Sequence, residues 1–142
     1  MKNINNFEKK LRSVGLRPTK QRLNICNILF NRKDTFHFSI EKLRKMIEKN
    51  EQSKISLATI YNTINAFKNK GYLKEISINS DKSYFDTNTT NHHHFFDEDT
   101  NELIDCDDGI IETPKIKKNI SGKKINSIEV LVKVATDNQN QK

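Results

Sequence analysis

The residues with the most evident chemistry are His92, His93 and His94, consecutive within TNHHHFFD at residues 90–97. They are three of the four histidines in the chain. Neutral imidazole ligates transition metals and also haem iron. Asp86 lies just upstream in SYFD, and Asp97, Glu98, Asp99, Glu102, Asp105, Asp107 and Asp108 follow the run. Imidazoles beside carboxylates suit a divalent cation held through nitrogen and oxygen. The competing reading is a solvated polar loop that binds nothing. The elements around the run decide between the two.

The cysteines offer less. Cys26 and Cys106 are far apart and form no CxxC, so no cysteine-based zinc site and no disulfide framework is expected. The 142 residues suggest one domain or two small ones. No apolar run reaches the roughly 18 residues that a membrane span needs. The N-terminus lacks the apolar core of a signal peptide, and a cytoplasmic location is expected. Net charge is +7, unevenly placed. Residues 1–85 carry 18 Lys/Arg against 7 Asp/Glu, and residues 86–142 carry 7 against 11. The first part, at +11, points to an anionic partner, nucleic acid first. The second part, at −4, would attract cations.

Several elements must position these groups. Ile4, Phe7, Leu11 and Val14 are spaced as one face of a short helix over 4–14, ended by Gly15. Pro18 breaks any continuation, and Thr19 is a good N-cap for a second helix reaching about Phe30. Cys26 lies on its apolar face and reads as a small buried hydrophobe. Arg17, Lys20 and Arg22 cluster at the start of this helix, where backbone N–H groups and cations together suit a phosphate. Ser39 caps a third helix with Leu43, Met46 and Ile47 on its apolar face, and His37 stands just before it.

The clearest helix runs over 56–71. Ser56 caps it, Gly71 stops it, and Leu57, Ile60, Ile64 and Phe67 form its apolar stripe. Thr59, Tyr61, Asn62, Thr63 and Asn65 make up the opposite face, which carries no acid and suits contact with bases. YLKEISI and SYFD then read as two strands joined by a turn at NSDK. Three helices followed by a hairpin form a winged helix-turn-helix, whose third helix enters the major groove. Beyond it, HHHFF, ELIDC and INSIEVLVKVA read as strands, with a turn at DEDTN and a weak helix of a turn or two after Pro114. The alternating Ile128, Val130, Val132 and Val134 carry the last strand, and DNQNQK is a frayed tail. So few elements cannot close a stable core in about 55 residues, so pairing with a second copy is expected.

Taken together, GLRPTKQR, HFSIEKL, SLATIYNTINAF, SYFDTNT, HHHFF and ELIDC resemble the Fur family of metal-responsive transcription regulators, and more narrowly its Irr branch, over roughly residues 10–135. The resemblance implies an α+β fold. It places an N-terminal winged helix-turn-helix DNA-binding domain at 1–86, a hinge at 87–90 and a small α/β dimerisation and ligand-sensing domain at 91–142. It implies DNA contacts from Arg17, Arg22, Thr59, Tyr61 and Asn62, to which Thr19 and Lys20 add the helix-start cluster. It implies an interdomain metal site of His37, Asp86, His92, His94 and Asp105. His93 and Glu112 match part of a weak second metal site, whose further C-terminal histidine is missing here.

In the Irr branch the ligand is haem, for which His92, His93 and His94 are the candidates. The function so implied is a regulator of iron- or haem-responsive genes. It binds A/T-rich palindromic double-stranded DNA as a homodimer or higher oligomer and is released by haem. Direct sensing of Fe, Mn or Zn is the alternative within the family. A metalloenzyme is the alternative from another class, disfavoured because no open coordination position or general base is evident.

Overall fold

The computed structural model describes residues 2–138, and side chains from residue 5 onward. The place of Ile4 in the first apolar stripe and the last four residues of the tail lie outside the described residues. The chain divides into two compact units, residues 1–89 and 90–142.

The N-terminal unit contains α1 (Lys2–Ser13), α2 (Lys20–Phe30), β1 (His37–Phe38), α3 (Ile40–Glu51), α4 (Leu57–Lys70), β2 (Lys74–Asn79) and β3 (Lys82–Asp86). Three helix starts use the expected hydroxyl caps. Thr19 accepts from the Arg22 N–H at 3.3 Å, Ser39 from the Lys42 N–H at 3.1 Å and Ser56 from the Thr59 N–H at 3.1 Å. Each satisfies an amide left without an intrahelical partner and contributes about 1 kcal/mol. Gly71, at φ +87°, ends α4 in the left-handed conformation that a side chain would strain.

The apolar faces of these helices meet in one core. Ile25, Cys26 and Leu29 of α2, Leu43 and Ile47 of α3, and Ile60, Ile64 and Phe67 of α4 are all buried there. Phe36, Phe38 and Phe85 stack in series with ring centroids 5.6 and 5.8 Å apart. This is the winged helix-turn-helix arrangement with α1 added in front.

The wing differs from the expectation by one strand. β1, read from sequence as the approach to α3, pairs antiparallel with β3, giving the order β1-β3-β2. Two residues are too short to show a periodic pattern. The aromatic stack fixes them, with Phe38 directly opposite Phe85. Two positions on α4 also depart from the expected faces. Leu57 is exposed rather than part of the buried stripe, and Thr63 is fully buried rather than on the outer face. The Thr63 hydroxyl donates to the Thr59 carbonyl at 2.8 Å, which satisfies its polar atom inside the helix and lets its methyl enter the core.

The C-terminal unit contains β4 (His94–Asp97), β5 (Glu102–Asp105) and β6 (Leu131–Val134) in the order β5-β4-β6. β4 pairs antiparallel with β5 and parallel with β6. The strand expected over HHHFF begins only at His94, and the last strand is limited to its final residues. The helix expected after Pro114 does not form, so among the described residues this unit is a sheet without helices. Lys115, Lys117 and Lys118 have no acid after Pro114 to pair with along a helix, and β-branched isoleucines and Gly122 disfavour one. Phe96 and Leu103 are its buried hydrophobics, while Ile104, Ile110, Ile116, Ile120 and Ile125 are exposed.

Among the described residues no helix is long and apolar enough to cross a membrane. Burial pushes the Cys26 thiol up to about 12, partly offset by the nearby Lys10 ammonium. The thiolate is the reactive form, so Cys26 is shielded in the folded chain. Thiol titration of the native protein is therefore expected to label one cysteine, Cys106, and of the denatured protein two. Rapid labelling of both before unfolding would contradict this packing.

Candidate metal centre and nucleic-acid interface

The histidine run leads into the central strand of the C-terminal sheet. β4 starts at His94, whose Cα partner across the antiparallel ladder is Asp105 on β5. His94 is buried, and its Nε2 lies 3.2 Å from Asp105 Oδ1. Two residues earlier, on the same side, His92 brings its Nε2 to 3.5 Å from that oxygen. The two imidazole centroids are 4.2 Å apart. Two donors each about 2.1 Å from one ion stand roughly 3–3.5 Å apart, so these spacings fit the coordination sphere of a small divalent metal.

The tautomer of His92 adds a chemical reason. Its Nδ1 lies 2.7 Å from the Thr90 carbonyl oxygen, which can only accept, so Nδ1 carries the hydrogen. In the neutral ring the Nε2 lone pair then faces Asp105 Oδ1. Two electron-rich atoms at that distance repel unless a cation stands between them, either a proton on the ring or a metal. A ring nitrogen held by a carbonyl while the other faces the metal is a common arrangement in metal sites.

His93 does something else. Its Nδ1 accepts the Val130 N–H at 2.9 Å, so its Nε2 carries the hydrogen and donates to the Thr113 hydroxyl at 3.1 Å. Its carbonyl also accepts the Cys106 N–H at 3.1 Å. His93 thus ties together the segments around residues 106, 113 and 130. Glu112, its expected companion, is exposed. The partners Thr113 and Val130 carried no signal in sequence, because a long connection separates them from the run.

The remaining expected ligands belong to the N-terminal unit. His37 on β1 is the Cα partner of Asp86 on β3, and Lys74 on β2 is the partner of Asp86 on its other side. Asp86 is fully buried and accepts the Asn88 N–H at 2.9 Å. Desolvation holds the Lys74 ammonium below its usual range, and the Asp86 charge acts in the opposite direction. The strand that sequence reading missed is thus the one that sets His37 beside Asp86.

The expected DNA-contacting residues sit on the same unit. Arg17 and Lys20 are exposed, and Thr19 caps α2. Arg22 donates one arm of its guanidinium to the Arg17 carbonyl at 3.0 Å, fixing the bend that precedes the helix. On α4, Tyr61 and Asn62 are exposed, and the Thr59 hydroxyl is 2.8 Å from that of Ser56.

A basic winged helix followed by a sheet with converging His and Asp side chains has the features of a metal-responsive DNA-binding regulator. Residues 13–134 match the ferric uptake regulator family, and the chain belongs to that family. Its members are transcription regulators and not enzymes. The chain is 36% identical over 104 residues to the ferric uptake regulation protein of Vibrio parahaemolyticus, covering 72% of this chain and 68% of that one. It is 34% identical over 95 residues to the peroxide-responsive repressor PerR of Staphylococcus aureus, covering 67% and 62% respectively. The fold is similar to the ferric uptake regulator of Vibrio cholerae, with TM-score 0.66 and 24% identity over 91% of this chain and 98% of that chain. It is also similar to the Pseudomonas aeruginosa regulator solved with manganese, with TM-score 0.63 and 22% identity over 92% and 97%.

The hydrogen bonds of His93 give a metal-independent expectation. His93→Leu leaves the Val130 amide without its acceptor and is expected to lower stability by about 1–3 kcal/mol in metal-free urea denaturation. An unchanged midpoint would show that the imidazole does not hold this segment.

Proposed function

We propose that this chain is a regulator whose DNA binding is set by a divalent transition metal held by His37, Asp86, His92, His94 and Asp105. The observation that carries this reading is the convergence of His92 and His94 on one oxygen of Asp105, with the His92 lone pair aimed at that carboxylate. Three imidazoles and two carboxylates form a nitrogen and oxygen set suited to Fe, Mn or Zn in the divalent state. A metal bound by residues of both units would favour one arrangement of them, and so alter DNA affinity by its differential binding.

In this reading Arg17, Thr19, Lys20, Arg22 and Thr59 lie along phosphates, and Tyr61 and Asn62 face the bases of an A/T-rich palindromic operator. The net charge of +11 over residues 1–85 supports it. The exposed isoleucines of the C-terminal unit, against two buried hydrophobics among its described residues, support a homodimer formed through that unit.

A divalent ion fits better than haem. The cavity beside His92 and His93 has a volume of about 180 Å3, below the roughly 300–1,000 Å3 of ordinary small-molecule pockets. His93, one of the three candidate haem ligands, already uses both ring nitrogens.

Calorimetric titration of metal-free protein with Mn²⁺, Zn²⁺ and anaerobic Fe²⁺, with DNA affinity followed in parallel, tests the proposal. One saturable site is expected at the five-residue set. His92→Ala and His37→Ala should each weaken it by at least about tenfold and remove the effect of metal on DNA binding. Metal binding that ignores both substitutions would sink the site. A saturable Soret band with a matching change in DNA affinity would restore haem as the signal. Since one relative is named a peroxide-responsive repressor, the iron-loaded protein is also to be assayed after exposure to peroxide.

A further inference from the structure

The N-terminal unit contains a cavity of about 600 Å3 whose lining includes none of the proposed metal ligands or DNA contacts. One side of α1 forms its wall, with Asn6, Lys9, Lys10 and Ser13 at the spacing of adjacent turns. Phe30, at the end of α2, and Tyr72, just after α4, face that wall. The proposed DNA contacts lie at the starts of α2 and α4. These helices have 11 and 14 residues, about 16 and 21 Å at 1.5 Å each, so the cavity lies at their far ends.

Lys10 is the group around which the cavity is built. Its Nζ lies 3.8 Å from the centroid of the Phe30 ring and 4.6 Å from that of Tyr72. Both ring faces attract the ammonium and hold it in place. The Tyr72 ring is itself tied down. Ser13 Oγ donates its one hydrogen to the Lys10 carbonyl at 2.6 Å, so the Tyr72 hydroxyl donates to Ser13 Oγ at 3.2 Å. Among the described residues no carboxylate pairs with the Lys10 ammonium, and no Asp or Glu lines the cavity. Lys9 adds a second, exposed cation at the rim.

We propose that this cavity binds a small organic anion, with a carboxylate or phosphate group on Lys10 and Lys9 and a flat apolar body against the aromatic walls. The inference stands apart from the metal and DNA readings, because it uses the residues of neither.

Charge, order and size select this class of ligand. Two lysines without an acid among the lining residues disfavour a cation and favour an anion. Ring faces attract an ammonium but leave the donors that point away from them open to an anionic oxygen. An ammonium already held between rings loses little freedom when that oxygen arrives, which lowers the cost of binding. The volume falls in the range of roughly 300–1,000 Å3 usual for small-molecule pockets, well beyond the needs of inorganic phosphate. Phe30 and Tyr72 therefore call for an apolar body as well as a charge.

Backbone amide NMR of the metal-free full chain tests this by titration with 2-naphthoate, 2-naphthyl phosphate, inorganic phosphate and the neutral 2-naphthamide. The two naphthyl anions are expected to give saturable shifts centred on residues 6–13, 30, 31 and 72, and the tighter of them identifies the head group. Naphthamide keeps the rings and loses the charge. Inorganic phosphate keeps the charge and loses the rings. Each should bind at least about tenfold more weakly than the better naphthyl anion. Lys10→Met should abolish the preference for the charged naphthyl probes, whereas Lys45→Met, outside the cavity, should bind them as the wild type does.

Equal affinity for naphthoate, naphthyl phosphate and naphthamide would overturn the proposal. So would inorganic phosphate binding as tightly as the naphthyl anions, or shifts that spread over the basic surface without saturating. The comparison of probes uses the wild-type chain, so it decides the matter even if Lys10→Met folds poorly.

Discussion

A histidine placed directly opposite an aspartate across an antiparallel ladder occurs in both units of this chain. His37 faces Asp86 in one, and His94 faces Asp105 in the other. Opposed side chains in such a ladder lie on the same face and close together. A slip of one residue would turn either partner to the far side of its sheet. The placement of these side chains therefore depends on register, and register depends on packing. In the N-terminal unit the Phe36, Phe38 and Phe85 stack pins β1 against β3. In the C-terminal unit Phe96 and Leu103 are buried and are themselves Cα partners, two rungs along the ladder from His94 and Asp105. The chemistry of the imidazoles is thus inherited from apolar contacts elsewhere in the same ladders.

The two units reach order by different means. The N-terminal unit buries a full set of helix faces and caps its helices with side-chain hydroxyls. The C-terminal unit has little apolar burial and relies on polar ties. Asp97 Oδ1 accepts the Asp99 and Thr100 amides in the turn after β4, and Asp99 accepts the Thr136 amide just past β6. The Thr136 side chain and, after it, that amide hold the Asp99 carboxyl below its usual range. The acidic run that first suggested cation attraction is therefore partly a set of turn-forming acceptors. A unit held mainly by polar ties and a few buried side chains sits at the low end of local stability, where a bound ion can shift its population.

The helices were legible because each carried its own punctuation. Thr19, Ser39, Ser56 and Gly71 mark ends by local chemistry, and apolar spacing marks the buried sides. The resemblance separated His93 from His92 and His94, and their partners differ, since His92 and His94 approach Asp105 while His93 bonds Val130 and Thr113. What sequence did not reveal was set by distant contacts. β1 exists because Phe38 finds Phe85. Thr63 belongs inside because its hydroxyl can bond back to Thr59, which periodicity does not register. Leu57 fits the spacing of the stripe but lies at the first turn of α4, beyond the edge of the core. The helix after Pro114 was a local expectation that lysine repulsion and Gly122 defeat.

His93 also bears on chain length. The segment from Cys106 to Val130 contains no helix or strand, yet its two ends are joined to one residue, through the Cys106 amide on the His93 carbonyl and the Val130 amide on its ring. A loop closed at its base costs entropy only logarithmically in its length, roughly 0.6 kcal/mol for each doubling. The sheet that carries His94 and Asp105 is thereby insulated from what the loop contains. Changes of length between about residues 114 and 127 therefore leave the pairing of His94 with Asp105 little affected.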